Sequence, residues 1–304
     1  MPAMVKPRTD RFCRLLPALA LLLWAGAVQA APHSSPRTVS NAPEIVQIPA
    51  NGAAGDPISL TAYLLRPPGA GPFPAVVALH GCGGLFGQRG TLTARHREWG
   101  ERLAAAGYAV LFPDSFTPRG VSEICTRHGS NGILPERERA RDAFTALRWL
   151  RTQAFVRADA VGVLGWSNGG STVLGAVDVH QPAREAATTP WRFAVAFYPG
   201  CRTADARRST WRSDVPLLIL IGEADNWTPA APCLDLARKA KDLGEPVEIV
   251  TYPGAYHDFD APGMALHEMA GIRTGSGKAM VGTDPAARAA AIPRAMDFME
   301  RLSR

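Results

Sequence analysis

Gly165-Trp166-Ser167-Asn168-Gly169-Gly170 follows the apolar run Ala160-Val161-Gly162-Val163-Leu164 and leads into Ser171-Thr172-Val173-Leu174-Gly175-Ala176-Val177. The run reads as a buried strand and the segment after it as a helix. A strand, a sharp turn carrying G-x-S-x-G and a helix together form a nucleophile elbow. The turn strains the backbone at Ser167, and small flanking residues let its hydroxyl stand clear at the carboxyl end of the strand. Because Ser167 also opens a helix, backbone N–H groups and the helix dipole point at whatever binds there.

Working outward, the same alternation recurs. Glu44 to Pro49 and Ile58 to Arg66 read as two strands around the turn region Asn51 to Pro57, the second alternating like a half-exposed antiparallel edge. Ala75 to Leu79 is continuously apolar, as expected of a strand covered on both faces. A helix is expected over Thr93 to Ala106, stopped by Gly107, and a strand over Tyr108 to Phe112. Residues 113–134 form a loop too long for a bare connector, and such loops usually carry function. Pro135 to Ala154 has helical apolar spacing. Beyond the elbow, strands are expected at Phe193 to Phe197, Pro216 to Ile221 and Val247 to Tyr252, with helices at Ala231 to Leu243 and Pro285 to Leu302. The fold class is α/β, a mostly parallel central sheet with helices on both faces. Sites in such sheets lie at the carboxyl ends of strands.

The 304 residues are 46% hydrophobic and 20% charged, enough for one large domain. Residues 1–30 read as a secretory signal peptide. Lys6, Arg8, Arg11 and Arg14 precede the apolar stretch Leu15 to Val28, and Val28-Gln29-Ala30 offers a cleavage site. Residues 31–42 are expected to be a linker and 43–304 the folded domain. Removing the leader, with four basic residues and Asp10, takes the net charge from +6 to +3. The remaining basic residues are scattered, so no nucleic-acid partner is expected, nor a membrane once the leader is cleaved. Arg207-Arg208 and Arg137-Glu138-Arg139 read as solvated surface. Cys13 leaves with the leader. Cys82, Cys125, Cys201 and Cys233 remain, and their even number in an exported, periplasmic or secreted chain favours disulfides. Four cysteines allow three pairings. The absence of C-x-x-C argues against zinc or thioredoxin-like chemistry.

An acyl-transfer serine needs a base, a carboxylate to orient that base, and donors for the oxyanion. His180 lies too far along the elbow helix, and His267 falls in a poorly patterned segment. His257 follows the last strand directly, on a loop that can reach Ser167. For the acid, the strand ending at Ile221 leads into Gly222-Glu223-Ala224-Asp225-Asn226-Trp227-Thr228-Pro229, where Asp225 is preferred over Glu223. Asp258 would point away from the site if its backbone were extended. Oxyanion donors are expected from the N–H of Asn168 and from His80-Gly81-Cys82-Gly83-Gly84, at Cys82, where glycines let backbone approach a ligand. His80 reads as a residue that holds this loop.

The stretches Gly-Trp-Ser167-Asn-Gly-Gly, Gly-Glu-Ala-Asp225-x-x-x-Pro and Tyr-Pro-Gly-Ala-Tyr-His257-Asp-Phe together resemble the dienelactone hydrolase family, over roughly residues 44–302. The resemblance implies an α/β-hydrolase fold and hydrolysis of a small ester or lactone through an acyl-enzyme, without metal or other cofactor. The type enzyme uses a cysteine nucleophile where this chain has Ser167. It also has a thiol-controlling glutamate in the loop that here, at His80 to Gly84, has none. A plain serine triad of Ser167, His257 and Asp225 is therefore expected. A prolyl oligopeptidase-like peptidase shares this core, and the absence of a large accessory domain from these 304 residues argues against typical members of that kind. A catalytically silent binding module of the same fold is the other rival, and the complete, ordered triad argues against it. The loops holding Cys82 and Cys125 should meet above the sheet, which pairs 82–125 and leaves 201–233. Arg119, on the long loop, is a candidate to meet a substrate carboxylate. The pattern carries no signal for oligomeric state.

Overall fold

A computed structural model describes residues 43–52, 55–87, 89–126, 136–185, 191–202, 211–272 and 277–304. The expected leader and linker, 1–30 and 31–42, lie outside the described residues, as do Arg207 and Arg208.

Eight strands form one sheet in the order β1-β2-β4-β3-β5-β6-β7-β8. β1 (Glu44–Asn51) pairs antiparallel with β2 (Pro57–Leu65), and β2 pairs antiparallel with β4 (Ala109–Pro113). From there every pairing is parallel, through β3 (Phe73–Leu79), β5 (Val156–Trp166), β6 (Ala194–Phe197), β7 (Leu217–Gly222) and β8 (Val247–Tyr252). The sequence explains this division. β4, β6 and β7 are buried at every position and are made of Val, Ile, Leu, Ala and Phe, with one proline and one glycine at their ends. β1, at the edge, buries only Ile48 fully.

Helices cover both faces. On one, α1 (Ala94–Ala105) and the long C-terminal helix are joined by an ion pair between Glu98 and Arg288. On the other, α2 (Glu136–Arg151) packs on α3 (Asn168–Val177), and both contact β5. A four-residue α4 (Pro182–Glu185), α5 (Ala230–Asp242) and α6 (Pro285–Ser303) complete the helices among the described residues. Thr93 caps α1 by accepting from the His96 N–H, and Asp284 caps α6 by accepting from Ala287.

The expected elements are all present, with small shifts at their ends. β5 is longer than its apolar run. It begins at Val156, and its first turn of chain, Arg157 to Asp159, is largely exposed and polar, so hydrophobicity does not mark it. Two short strands, β9 (His267–Glu268) and β10 (Met280–Val281), pair antiparallel between β8 and α6. Part of the long loop is a 3-10 turn at Thr117–Arg119, and residues 127–135 are outside the described set.

Candidate active site

The elbow forms at the carboxyl end of β5, in the middle of the sheet. Ser167 has φ 53° and ψ −118°, a left-handed backbone that its surroundings must impose. Its N–H donates to the Phe197 carbonyl at 3.0 Å, and its own carbonyl accepts from Ser171 at 2.8 Å. The tightness of the turn explains two of its glycines. A Cβ on Gly165 would lie 2.3 Å from the Gly169 oxygen, and one on Gly169 would lie 2.1 Å from the Leu79 oxygen. No side chain fits in either place.

His257 and Asp225 converge on this serine. The loop after β8 brings His257 Nε2 to 2.8 Å from Ser167 Oγ, and His257 Nδ1 lies 2.7 Å from Asp225 Oδ2. A carboxylate can only accept, so Nδ1 carries the proton, and Nε2 of the neutral ring accepts from the serine hydroxyl. The His257 ring lies between Tyr198 and Trp227, with centroids 4.5 and 4.7 Å away. Burial works against charge on this imidazole. The Asp225 carboxylate and its hydrogen bond, with help from Asp258, outweigh both burial and Arg95 and hold its pKa above the ordinary histidine value.

Asp225 also shapes its own loop. Its Oδ1 accepts from the N–H groups of Trp227 and Thr228 at 2.9 and 2.8 Å, an Asx turn that fixes the carboxylate while Oδ2 faces His257. Glu223, the other acidic candidate, instead accepts from the Thr251 hydroxyl at 2.7 Å on an exposed edge. His180 pairs with Asp178, and His267 lies exposed on β9, so neither joins the site.

The His80 to Gly84 loop lies against the elbow, where a Cβ on Gly81 would come within 3.6 Å of the Ser167 Cβ. Cys82 is disulfide-bonded to Cys125, and its carbonyl accepts from Ile124 at 2.8 Å. Cys201 is bonded to Cys233. His80 is fully buried. Its Nδ1–H faces the Gly81 carbonyl at 2.8 Å, and its Nε2 accepts from the Ser115 N–H. Burial and the nearby Arg139 push its pKa well below the usual value, so it stays neutral. Asn168, first in α3, has an N–H with no acceptor inside the helix.

Three readings of the sequence need correction. Arg139 and Glu138 are buried rather than solvated. The Arg139 guanidinium donates to the His80 carbonyl at 2.6 Å and to Asn168 Oδ1, and lies over the Phe116 ring. It thus joins the glycine loop to the elbow. Arg119 does not face the site. The buried carboxylate of Asp142 needs a cation, and Arg119 gives it a two-pronged pair at 2.8 and 2.9 Å. Asp258 is not extended: at φ 63° it turns its carboxylate to Arg95, 2.6 Å away.

Asp260 and Tyr198 have no signature in the sequence. Asp260 is fully buried and accepts from Trp99, Trp166 and Tyr198 at 2.9, 3.0 and 2.5 Å. This anchors the turn that carries His257. A polar residue between Phe259 and Ala261 was the only available hint.

A cavity of about 240 Å³ opens at Ser167 and His257. Its walls include the glycine loop, the Cys82–Cys125 bond, Arg95, Trp227, Asp258, Met264 and Met269. Among the described residues, no group of three or more His, Cys, Asp or Glu is placed to hold a metal ion.

This strained strand-to-helix turn at mid-sheet, with its serine facing a histidine and a carboxylate from later loops, sits in an α/β-hydrolase fold. More narrowly, the chain belongs to the dienelactone hydrolase family, whose family model matches residues 60–303. Over 216 residues it is 27% identical to a Bradyrhizobium protein named "Probable 2-oxo-3-(5-oxofuran-2-ylidene)propanoate lactonase", covering 66% of this chain and 79% of that one. A Klebsiella pneumoniae chain named "Putative Dienelactone Hydrolase" superimposes with a TM-score of 0.62 at 19% identity, covering 86% of this chain and all of that one. Esterase 2 of Thermogutta terrifontis gives 0.58 at 19% identity, covering 86% of this chain and 92% of its own. At these identities the two structures speak to the fold.

Proposed function

We propose that the protein is an exported serine hydrolase that cleaves a small carboxylic ester or lactone through an acyl-enzyme. The observation that carries this reading is the continuous relay Asp225–His257–Ser167, at 2.7 and 2.8 Å, on a strained elbow. Ser167 Oγ attacks the substrate carbonyl carbon while its proton passes to His257 Nε2. Asp225 holds the ring and stabilises the imidazolium. The N–H groups of Cys82 and Asn168 receive the developing oxyanion. Collapse of the tetrahedral intermediate expels the alcohol oxygen, which takes the proton from His257, and water then releases the acid by the same steps in reverse.

Ester and lactone both suit this chemistry. The Bradyrhizobium relative is named as a lactonase and the Thermogutta one as an esterase. Export is supported by the leader pattern at residues 1–30 and by two disulfides. A fluorophosphonate probe is expected to label Ser167 in the folded protein, and Ser167→Ala should lose both labelling and ester hydrolysis. Failure of the folded wild-type protein to react would favour a silent binding module.

A further inference from the structure

Thr228 sits between the relay and the turn after β6. Its hydroxyl oxygen lies 3.0 Å from the Tyr198 carbonyl, 2.9 Å from Asp225 Oδ2 and 3.0 Å from His257 Nδ1. Those three groups stand on the segments that leave β6, β7 and β8. A carbonyl and a carboxylate only accept, and Nδ1 carries a proton. The hydroxyl therefore donates on the side of the carbonyl and the carboxylate and turns a lone pair to the ring. Its methyl group packs towards Gly200, where an added Cβ would lie 3.7 Å from it. The backbone N–H of the same residue donates to Asp225 Oδ1 at 2.8 Å. Thr228 thus touches both oxygens of Asp225, and it meets Oδ2 beside the point where His257 does. Through the Tyr198 carbonyl it also holds a residue of left-handed backbone, φ 36°, whose ring centroid lies 4.5 Å from that of His257.

We propose that Thr228 is a positioning residue of the relay, and that its hydroxyl, rather than its bulk, aligns Asp225 and His257 with Ser167. The inference rests on the hydrolase reading above. One oxygen joins three segments that otherwise carry the acid, the base and the ring packed on the base. Without it, Asp225 Oδ2 and the Tyr198 carbonyl lose a shared donor, and the imidazole loses the neighbour that faces Nδ1. Acylation and deacylation both pass their proton through His257, so a misaligned relay slows both. The turnover number then falls, while KM, which depends on the ratio of the two steps, moves little.

The test measures hydrolysis of 4-nitrophenyl acetate by the wild type, Thr228→Ser and Thr228→Ala. The two variants differ from one another only in the hydroxyl. Thr228→Ser should keep kcat within about three-fold of the wild type. Thr228→Ala should fall about ten-fold or more below the serine variant in kcat, with KM changed less than about two-fold. The rate constant for labelling of Ser167 by a fluorophosphonate should fall by a similar factor. Only folded sites react with that probe, so it reads the alanine variant even where part of the sample is unfolded. If the alanine variant does not fold, Thr228→Val, which keeps the branched shape without the donor, takes its place. Equal kcat in the variants with and without the hydroxyl overturns the proposal, as does a loss confined to KM or to stability in urea. If the wild type neither hydrolyses the ester nor labels, the hydrolase reading falls, and this inference falls with it.

Discussion

Ser167, His257 and Asp225 were legible because each sits at a boundary that sequence marks well, an apolar run giving way to glycine, proline and polar residues. Their order along the chain completed the pattern. Arg139 was not legible, because its partners His80 and Asn168 lie 59 and 29 residues away and a buried arginine looks locally like a surface one. Arg119 failed for a related reason: its partner Asp142 is a helix residue that nothing in the loop announces. Two outcomes follow at this scale. The elevated pKa of His257 places the acidic limb of kcat/KM above about 6.5, the ordinary histidine value, with activity lost as pH falls and the base becomes protonated. Asp258→Asn removes a charge that favours the imidazolium and leaves Arg95 opposing it, so the limb should move to lower pH in a pH–rate profile. Arg139→Ala should lower kcat about ten- to a hundred-fold with little change in KM, through loss of alignment between the glycine loop and the elbow. Arg139→Lys should recover part of it, and steady-state kinetics on folded variants will read both.

Among the elements, the buried strands were the most legible, since parallel strands under two helical layers must be apolar throughout. The β9–β10 pair escaped because two-residue strands leave no periodicity, and their segment is held by contacts such as the hydrogen bond from the Met280 N–H to the Asn226 side chain. The join of β5 to α3 is the most constrained point. Gly165→Ala would drive a methyl group into the Gly169 carbonyl, so either the strand or the helix must shift. Unfolding in urea should show a loss of about 1–3 kcal/mol, accompanied by loss of hydrolysis. An alanine tolerated there without change in either would mean that the turn is looser than this packing requires.

Across the whole molecule, a mostly parallel sheet carries the site at the carboxyl ends of its strands, and two disulfides lie on that side of the chain's architecture, at Cys82 and after β6. Peptide mapping of unreduced mature protein is expected to return the 82–125 and 201–233 pairs, starting from a chain that begins near Ala31. Reduction should cost about 2–4 kcal/mol of unfolding free energy per bond, read as a lower thermal midpoint. Recovery of the protein with residues 1–30 retained from periplasm or medium would contradict the proposed cleavage, and its absence from both would contradict the proposed export.

Three residues other than glycine adopt positive φ among the described residues, Ser167, Tyr198 and Asp258, and all three border the same site. Such conformations cost of order 1–3 kcal/mol each and persist only where the surrounding fold enforces them. Stability and activity therefore pull in opposite directions at this one place. Thermostabilisation by unguided substitution would find easy gains in relaxing these positions, and would erode the hydrolase in collecting them.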